Sequence, residues 1–315
     1  IPLDALMDLK IDYAFKQLFG NEKNKHMTII FLNAILKRNS HDRITDISFE
    51  NTEFAGEHPD DKKSRLDILA KTNKNERVNI EIQFTNHYDM VKRSLFYWAG
   101  LYRSPMKEGD GYIELKPVIV INLLNFNLFH KETTRFHTTY HLYEDNEHFK
   151  LTDVLEMHFV EMPKLLQDWK DGKLNPNDDV LARWLLLLGI VDRKNKQVYE
   201  DIYKELEEIS MNDQNLREAF QDWESLSVNK DKQLEYESRL KEVLDKYAVQ
   251  REAEIRLNEA KKEALEEGMK EGMQKGMEKG MQDGMKESTL RIVQRMLQKG
   301  ADIQTIVDFT DLQPE

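Results

Sequence analysis

Apolar residues recur along the first 125 residues with the spacing of helices in some segments and of strands in others. Residues 4–19 and 26–36 repeat their apolar side chains at intervals of three and four, as amphipathic helices do. Short apolar runs between polar or Gly- and Pro-containing segments predict strands. The predicted strands cover residues 43–50, 64–70, 78–84 and 117–124, with a further helix at 86–103. This order predicts an α/β fold in which helices pack against a mixed sheet.

The second half of the chain is mostly helical in pattern. Residues 234–265 are highly charged, lack Pro and Gly, and space their apolar residues sparsely, which predicts a solvated helix or a loose coiled coil. Residues 288–309 predict a compact helical pair, with a stop at Gly300 and a cap at Asp302, whose outline also fits a DNA-binding helix-turn-helix. The other predicted elements are strands at 140–149 and 155–160 and helices at 165–169, 180–190, 197–210 and 215–226.

A four-residue repeat precedes that pair, in which Gly268, Gly272, Gly276, Gly280 and Gly284 are each followed by Met. On a helix this repeat forms a stripe of glycines beside a stripe of methionines. Five interior glycines destabilise an isolated helix by about 4–5 kcal/mol relative to alanine, so an ordered helix needs a compensating contact. Close approach of a second helix along the glycines, with methionines as adaptable packing, predicts a homo-oligomer formed through the C-terminal helices. The alternative is a frayed, partly disordered tail.

Composition limits the class of protein. Of the 315 residues 40% are hydrophobic and 33% are charged, and no apolar run approaches the roughly 20 residues that span a bilayer. No export signal is visible, so we expect a cytoplasmic protein that does not partner a membrane. The absence of cysteine excludes disulfides, Cys-ligated zinc and thiol catalysis. A net charge of −12 argues against indiscriminate nucleic-acid binding but allows a local basic face.

The main candidate for chemistry is a pair of acids in neighbouring predicted strands. Asp67 and Glu81 each lie inside an apolar run, and Gln83 falls on the same face as Glu81 because strand side chains repeat with period two. Mg²⁺ takes oxygen ligands, usually one or two carboxylates with waters and substrate phosphate oxygens. Asp67 and Glu81, with the backbone carbonyl of Ile82, therefore predict a divalent-metal site. The alternative is that both acids simply face solvent.

Several motifs, in order along the chain, resemble those of a known family. They are Asp12-x-x-Phe15-Lys16-x-x-Phe19-Gly20, Leu66-Asp67-Ile68-Leu69-Ala70, Val78-Asn79-Ile80-Glu81-Ile82-Gln83, Arg93-Ser94-Leu95-Phe96-Tyr97-Trp98 and Gly111-Tyr112 before residues 117–121. This series, with Tyr236-x-x-Arg239 on the charged helix, resembles the PD-(D/E)XK nuclease family transposases, also called recombination-promoting nucleases. The resemblance covers roughly residues 4–260. It implies a restriction-endonuclease-like core, a mixed sheet flanked by helices, followed by a helical C-terminal extension.

The resemblance also implies roles for individual residues. It places Asp67 and Glu81 at a Mg²⁺ ion, with Mn²⁺ as an alternative ion, and Gln83 at the position of the motif's final Lys. A Gln can orient a water molecule by hydrogen bonds, but it adds no positive charge. Asp12 matches an acid of the first helix that assists the metal. The implied contacts to DNA phosphates are Lys16 and Arg93.

We therefore expect a magnesium-dependent DNA endonuclease, tied to recombination or mobile elements, that hydrolyses phosphodiester bonds with a metal-activated water. The predicted segments are a nuclease-like core at 1–165, a helical region with the long charged helix at 166–265, the Gly-Met repeat at 266–287 and a small helical pair at 288–315. Two alternatives stay open. One is a catalytically inactive, oligomeric relic of the fold that binds DNA or protein, and the other is a transposase that performs full strand transfer.

Overall fold

The structure, a computed structural model, describes residues 1–54, 64–86 and 89–310. The chain divides into two compact units, Ile1–Tyr247 and Ala248–Glu315. Across the described ranges, no helix is both long enough and apolar enough to cross a membrane. The four segment boundaries expected from the sequence stay predictions.

A six-stranded mixed sheet organises the first unit. The strands of the described residues are β1 (Ile47–Phe49), β2 (Glu53–Phe54), β3 (Ser64–Arg65), β4 (Ile68–Thr72), β5 (Arg77–Gln83), β6 (Val118–Leu124), β7 (His137–Tyr143), β8 (Lys150–Glu161), β9 (Val191–Asp192) and β10 (Gln197–Val198). The large sheet has the order β1-β4-β5-β6-β8-β7, in which β5, β6 and β8 run parallel and the outer strands pair antiparallel. All seven residues of β6 are buried, as its central position between parallel neighbours requires.

Helices cover both faces of this sheet. The helices of the described residues are α1 (Asp12–Phe19), α2 (Lys25–Ile35), α3 (Met90–Arg103), α4 (Met162–Lys170), α5 (Val180–Gly189), α6 (Glu200–Ser210), α7 (Gln214–Val228), α8 (Lys230–Gln298) and α9 (Ile303–Thr310), with 3-10 turns at Leu3–Ala5, Glu22–Asn24 and Tyr112–Glu114. The larger core joins α1, α2 and α5 to one face of the sheet, where Phe15 and Trp184 belong to the same buried cluster as Ile80. On the other face, Tyr97 of α3 lies in a second buried cluster with Val120 of β6. The predicted α/β architecture of a mixed sheet flanked by helices is confirmed.

The first helix begins later than its apolar spacing indicates. Residues 6–11 are buried throughout, and α1 starts only at Asp12. Lys10 is 2% exposed, and its ammonium contacts Asp8 Oδ1 at 2.9 Å and the backbone carbonyl of Val191. A buried charge pair needs such complete hydrogen bonding, and an amphipathic helix with a solvated polar face would not provide it. The first half of that predicted helix is therefore wrong.

Other boundaries differ because short-range patterns do not show how a strand is paired. The helix predicted at 197–210 begins at Glu200, since the preceding residues form the β9–β10 hairpin, in which Lys196 adopts a positive φ of 53°. The strand predicted at 155–160 is the end of the longer β8, whose pairing with β7 extends to Lys150. The strand predicted at 43–50 reduces to the three residues of β1.

Helix α8 is continuous across three segments that were predicted as separate. The charged segment, the Gly-Met repeat and the first half of the predicted helical pair form one helix of 69 residues, so the repeat is helical rather than frayed. The five methionines of the repeat are 59–77% exposed. A Cβ added at any of its five glycines would meet no heavy atom within 4 Å outside the glycine's own stretch of helix. After Gly300, with φ +78°, the Asp302 carboxylate accepts a hydrogen bond from Thr305 N at 3.0 Å and caps α9, as predicted.

A chain of hydrogen-bonded polar side chains lies along β7 and β8. His137 Nε2 lies 2.8 Å from His158 Nδ1, and His158 Nε2 lies 2.8 Å from Glu156 Oε1. Two ring nitrogens in contact require that one carries no proton, so the two imidazoles cannot both be charged. Burial, followed by the charges of His158 and Lys37, lowers the pKa of His137 to about 4, against the opposing effect of Glu156.

We expect the free energy of unfolding to fall as the pH is lowered from about 6.5, where an unfolded histidine titrates, towards 4. In this interval the unfolded state binds more protons than the folded state, so stability declines with falling pH. The contribution of His137 between pH 6.5 and 4.5 is roughly 1–2 kcal/mol. Urea unfolding of the wild type and of His137→Gln at both pH values measures it, with His130→Gln as a surface control. Equal pH dependence in wild type and His137→Gln would contradict the assignment.

Candidate active site

Strands β4 and β5 place the two predicted acids opposite each other. Ile68 pairs with Ile80 in this antiparallel hairpin, so the next positions along the ladder, Asp67 and Glu81, face each other on one side of the sheet. Glu81 is 1% exposed, and the Asp67 side chain is 9% exposed. The predicted hairpin is confirmed, whereas Asp67 lies in a break between β3 and β4 rather than inside a strand. The alternative of two solvent-facing acids does not fit their burial.

Each acid is hydrogen-bonded to the backbone of the other's segment. Asp67 Oδ2 accepts a hydrogen bond from Ile82 N at 2.9 Å, and Asp67 N donates to Glu81 Oε1 at 3.3 Å. The Asp67 carboxylate thus accepts a hydrogen bond from the backbone of β5. Asp67 itself lies in the break between β3 and β4. We name these two hydrogen bonds the acid clamp, because they fix the two carboxylates relative to each other.

Two further charged side chains of α1 reach the acid pair. Lys16 Nζ lies 2.8 Å from Asp67 Oδ1 and 3.8 Å from Asp12 Oδ2. Asp12 Oδ1 in turn accepts a hydrogen bond from Arg239 Nε of α8 at 2.7 Å. Asp12 and Lys16 are one helical turn apart, which places them on the same face of α1. The structure therefore brings Asp12, Lys16 and Asp67 together in one charged row.

Gln83 and Arg93 lie on the other side of Glu81. Gln83 Nε2 lies 3.5 Å from Glu81 Oε2, and Arg93 donates to Gln83 Oε1 over 3.4 Å. Arg93 Nε also donates to Tyr97 Oη at 2.8 Å, one turn further along α3. The structure thus brings Gln83 and Arg93 to the same site as the acids, with Gln83 as the neutral link between Glu81 and Arg93.

Burial and mutual repulsion raise the pKa of both acids at this site. Burial, followed by the charge of Asp67, raises the pKa of Glu81 to about 8, while Arg93 acts in the opposite direction. Burial also raises the pKa of Asp67, against the opposing charge of Lys16. Two neighbouring buried carboxylates do not ionise together without a nearby cation. The acid pair is therefore electrostatically suited to binding a cation.

A cavity of about 240 Å³ opens beside the acid clamp. Its lining includes the acids Asp12 and Asp67, whereas Glu81 is not part of the lining and lies behind it. Four residues with accessible cationic side chains also line the cavity: Lys16, Arg93, Arg239 and Lys246. This concentration of cationic side chains contrasts with the net charge of −12 of the chain. The cavity is thus a local basic surface of the kind that anionic substrates require.

The chemistry of these donors fits a divalent ion with few protein ligands. Two carboxylates lie side by side, and a positive group, the Lys16 ammonium, already contacts one of them. Within the described part of the chain, no group of three His, Cys, Asp or Glu side chains could hold a metal. Mg²⁺ usually takes one or two carboxylates and keeps several waters or phosphate oxygens. The donor set fits Mg²⁺ better than an ion that needs a complete protein cage, and the Ile82 carbonyl stays a predicted ligand.

Helix α8 contributes a wall of the cavity that the sequence pattern did not predict. Arg239, Val243 and Lys246 line it at spacings of four and three, hence from one helix face. The pattern of residues 234–265 predicted a solvated helix or a loose coiled coil, because apolar residues are sparse there. The signal for this wall in the sequence is Tyr236-x-x-Arg239, one of the motifs that carry the family resemblance.

The architecture, a mixed sheet with helices on both faces and an acid pair at one hairpin, is that of the restriction-endonuclease-like nucleases. The sequence profile of the PD-(D/E)XK nuclease family transposases matches residues 9–253. The chain belongs to this family, and the resemblance read from its motifs is confirmed. Searches among curated proteins and among solved structures give no match.

We expect Glu81→Gln to stabilise the metal-free protein at alkaline pH. The folded-state pKa of Glu81 lies above the unfolded value near 4.3, so the wild type loses stability as the pH rises through this interval. The neutral amide removes that loss, and its gain at pH 8.5 in EDTA is roughly 2 kcal/mol. Urea unfolding at pH 5 and 8.5 measures the difference, with Glu147→Gln on an exposed turn as the control. A variant less stable than wild type at pH 8.5 would contradict the expectation.

Proposed function

We propose that this protein is a magnesium-dependent DNA endonuclease that acts in the cytoplasm, in recombination or on mobile elements. The observation that carries the proposal is the buried Asp67–Glu81 pair beside a cavity lined by cationic side chains. Membership of the nuclease family transposases supports a nuclease-like activity, and it favours DNA as the substrate. Positive side chains beside buried carboxylates suit the cleavage of a phosphodiester. The cations and a metal held by the carboxylates would both neutralise the negative charge of the phosphate.

In this proposal Asp67, Glu81 and the backbone carbonyl of Ile82 would hold Mg²⁺, or Mn²⁺ in its place, with Asp12 as an assisting carboxylate. When bound, the ion would supply a water of lowered pKa and would neutralise charge on the phosphate under attack. The acid clamp fixes the two carboxylates before any ion binds, because both hydrogen bonds are made to backbone groups. Such preorganisation is what an electrostatic site requires.

The cations divide between the two sides of the acid pair. Lys16, at 2.8 Å from Asp67, supplies a positive charge that the neutral Gln83 does not. Arg93 is held by Tyr97 and Gln83, so its guanidinium has a fixed direction beside the cavity. In the proposal Arg93 and Lys16 contact phosphate oxygens of the bound strand, while Gln83 orients a water molecule by hydrogen bonding.

One observation favours a second candidate, a catalytically inactive oligomer that binds DNA or protein. Lys16 already neutralises Asp67, and Arg239 already neutralises Asp12. These acids are therefore satisfied without a metal, as they would be in a relic of the fold. The two candidates differ in one measurable property, which is cleavage of DNA in the presence of Mg²⁺ or Mn²⁺.

We expect the wild type to nick supercoiled plasmid with Mg²⁺ or Mn²⁺ and to lose this activity in EDTA. Asp67→Asn and Glu81→Gln should each reduce the rate by roughly 100-fold or more, because each removes a carboxylate that would hold the metal ion. The matched control is Asp145→Asn, which changes an exposed acid on a turn. Purified Asp67→Asn and Glu81→Gln that still cut at the wild-type rate would disprove the site assignment. A wild type inactive with both ions would favour the second candidate.

We also propose that the protein forms a homo-oligomer through α8. The support is the exposed Gly-Met stripe of this helix, whose glycines leave room for a second helix and whose methionines are exposed. Paired helices would offset the low helix propensity of the glycines. An oligomer would also bring two sites to the two strands of one duplex.

We expect truncation after Lys262 to lower the mass measured by light scattering, because it removes the whole stripe. The full-length variant Met273→Lys/Met277→Lys should act in the same direction, since it places charge within the packed surface. Met211→Lys, which changes an equally exposed methionine outside the stripe, serves as the control. A truncated chain and a double variant that keep the wild-type number of protomers would refute the proposed contact.

A further inference from the structure

The beginning of α8 is fixed against the N-terminal segment of the chain. Asp8 N donates a hydrogen bond to Tyr236 Oη at 2.8 Å, and Tyr236 is 5% exposed. Leu240 and Val243, on the next turns of α8, pack against the larger core. The helix face that carries Arg239 is thus held at the cavity by contacts with the rest of the first unit on both sides of that residue.

From this position the Arg239 side chain contacts Asp12 of α1. Its Nε donates to Asp12 Oδ1 at 2.7 Å, over a separation of 227 residues in the chain. Asp12 is 3.8 Å from Lys16, and Lys16 is 2.8 Å from Asp67. Arg239 therefore stands at the head of a row of alternating charges that ends at one acid of the acid clamp.

Other arginines of α8 make a different kind of pair. Arg256 pairs with Glu252 one turn away on the same helix, and both side chains are more than 60% exposed. Such exposed local pairs contribute little to stability or geometry. The Arg239–Asp12 pair is 36% and 18% exposed, and it joins two elements at the edge of the cavity.

Two carboxylates neutralise most of the positive charge of Arg239. Besides Asp12, its Nη1 bonds Glu242 Oε2 at 2.5 Å. A guanidinium with two carboxylate partners has little net charge left to attract a phosphate. Its effect on the reaction should therefore pass through Asp12 rather than through direct capture of DNA.

We propose that Arg239 is a positioning residue of the nuclease site, which orients Asp12 and through it the Lys16–Asp67 pair. This inference rests on the proposed DNA cleavage. Small displacements of a reacting group can reduce rates by about 100-fold. Loss of Arg239 should accordingly reduce kcat, while the affinity for DNA and its salt dependence change little.

The test compares Arg239→Gln, Arg239→Lys, Asp12→Asn and the double variant Asp12→Asn/Arg239→Gln with wild type. Plasmid and oligonucleotide cleavage give kcat and KM, and fluorescence anisotropy in EDTA gives the Kd for DNA without any metal. Arg256→Gln on the same helix is the surface control. Tyr236→Phe removes the hydrogen bond from Asp8 N, so it shows what weaker docking of α8 does by itself.

We expect Arg239→Gln to lower kcat by about 10- to 100-fold, with KM and the metal-free Kd within about twofold of wild type. Arg239→Lys should recover part of kcat, and the double variant should be no slower than Asp12→Asn alone. Arg256→Gln should match wild type, and Tyr236→Phe should lower the melting temperature with kcat retained below the transition.

Several results would overturn the inference. A raised KM and Kd with unchanged kcat would make Arg239 a phosphate contact. Multiplicative effects in the double variant would show that Arg239 does not act through Asp12. A loss of kcat in Tyr236→Phe equal to that in Arg239→Gln would reduce the role of Arg239 to docking of α8. If wild type does not cleave, the proposed function itself fails, whereas equal cleavage by wild type and Arg239→Gln rejects only the positioning role.

Discussion

The acid clamp is the interaction on which the rest of the site depends. Two carboxylates at 1% and 9% exposure would repel each other and destabilise the fold if they had no partners. Backbone donors of Asp67 and Ile82, which belong to the hairpin itself, hold these carboxylates in place. The hairpin is in turn anchored by β6, which is buried along its whole length. The sheet therefore holds the two carboxylates close together despite their mutual repulsion.

The polar side chains around the acid clamp reduce the repulsion between the two carboxylates without removing it. Lys16 approaches one acid from α1, and Gln83 connects the other to Arg93 of α3. Both helices lie at the edge of the same cavity, so the charge that stabilises the acids also faces an incoming substrate. The raised pKa of Glu81 shows that compensation is incomplete. Incomplete compensation is common where stability is exchanged for function.

Local pattern predicted the hairpin and the buried strand β6, because period-two spacing and hairpin pairing depend on nearby residues. It left open whether Asp67 and Glu81 converge or face solvent, and the family resemblance assigned them to one site with Gln83. Local pattern was also insufficient where long-range contacts decide. Lys10 was counted within a helix because nothing in its neighbourhood shows its contact with Val191. Arg239 looked solvated because its partner, Asp12, lies 227 residues away. The break at Asp67 arises from a side chain that bonds a neighbouring strand, which apolar spacing does not record.

The contrast between the basic cavity and the acidic chain has a consequence for how ionic strength would act on DNA. At about 10 mM salt the Debye length is near 30 Å, so the net charge of −12 repels a nucleic acid before it reaches the cavity. At about 1 M salt the range shrinks to near 3 Å, and the phosphate contacts that we propose for Lys16 and Arg93 would weaken as well. Productive encounter with DNA is therefore favoured at intermediate ionic strength, where long-range repulsion is screened while short-range attraction survives.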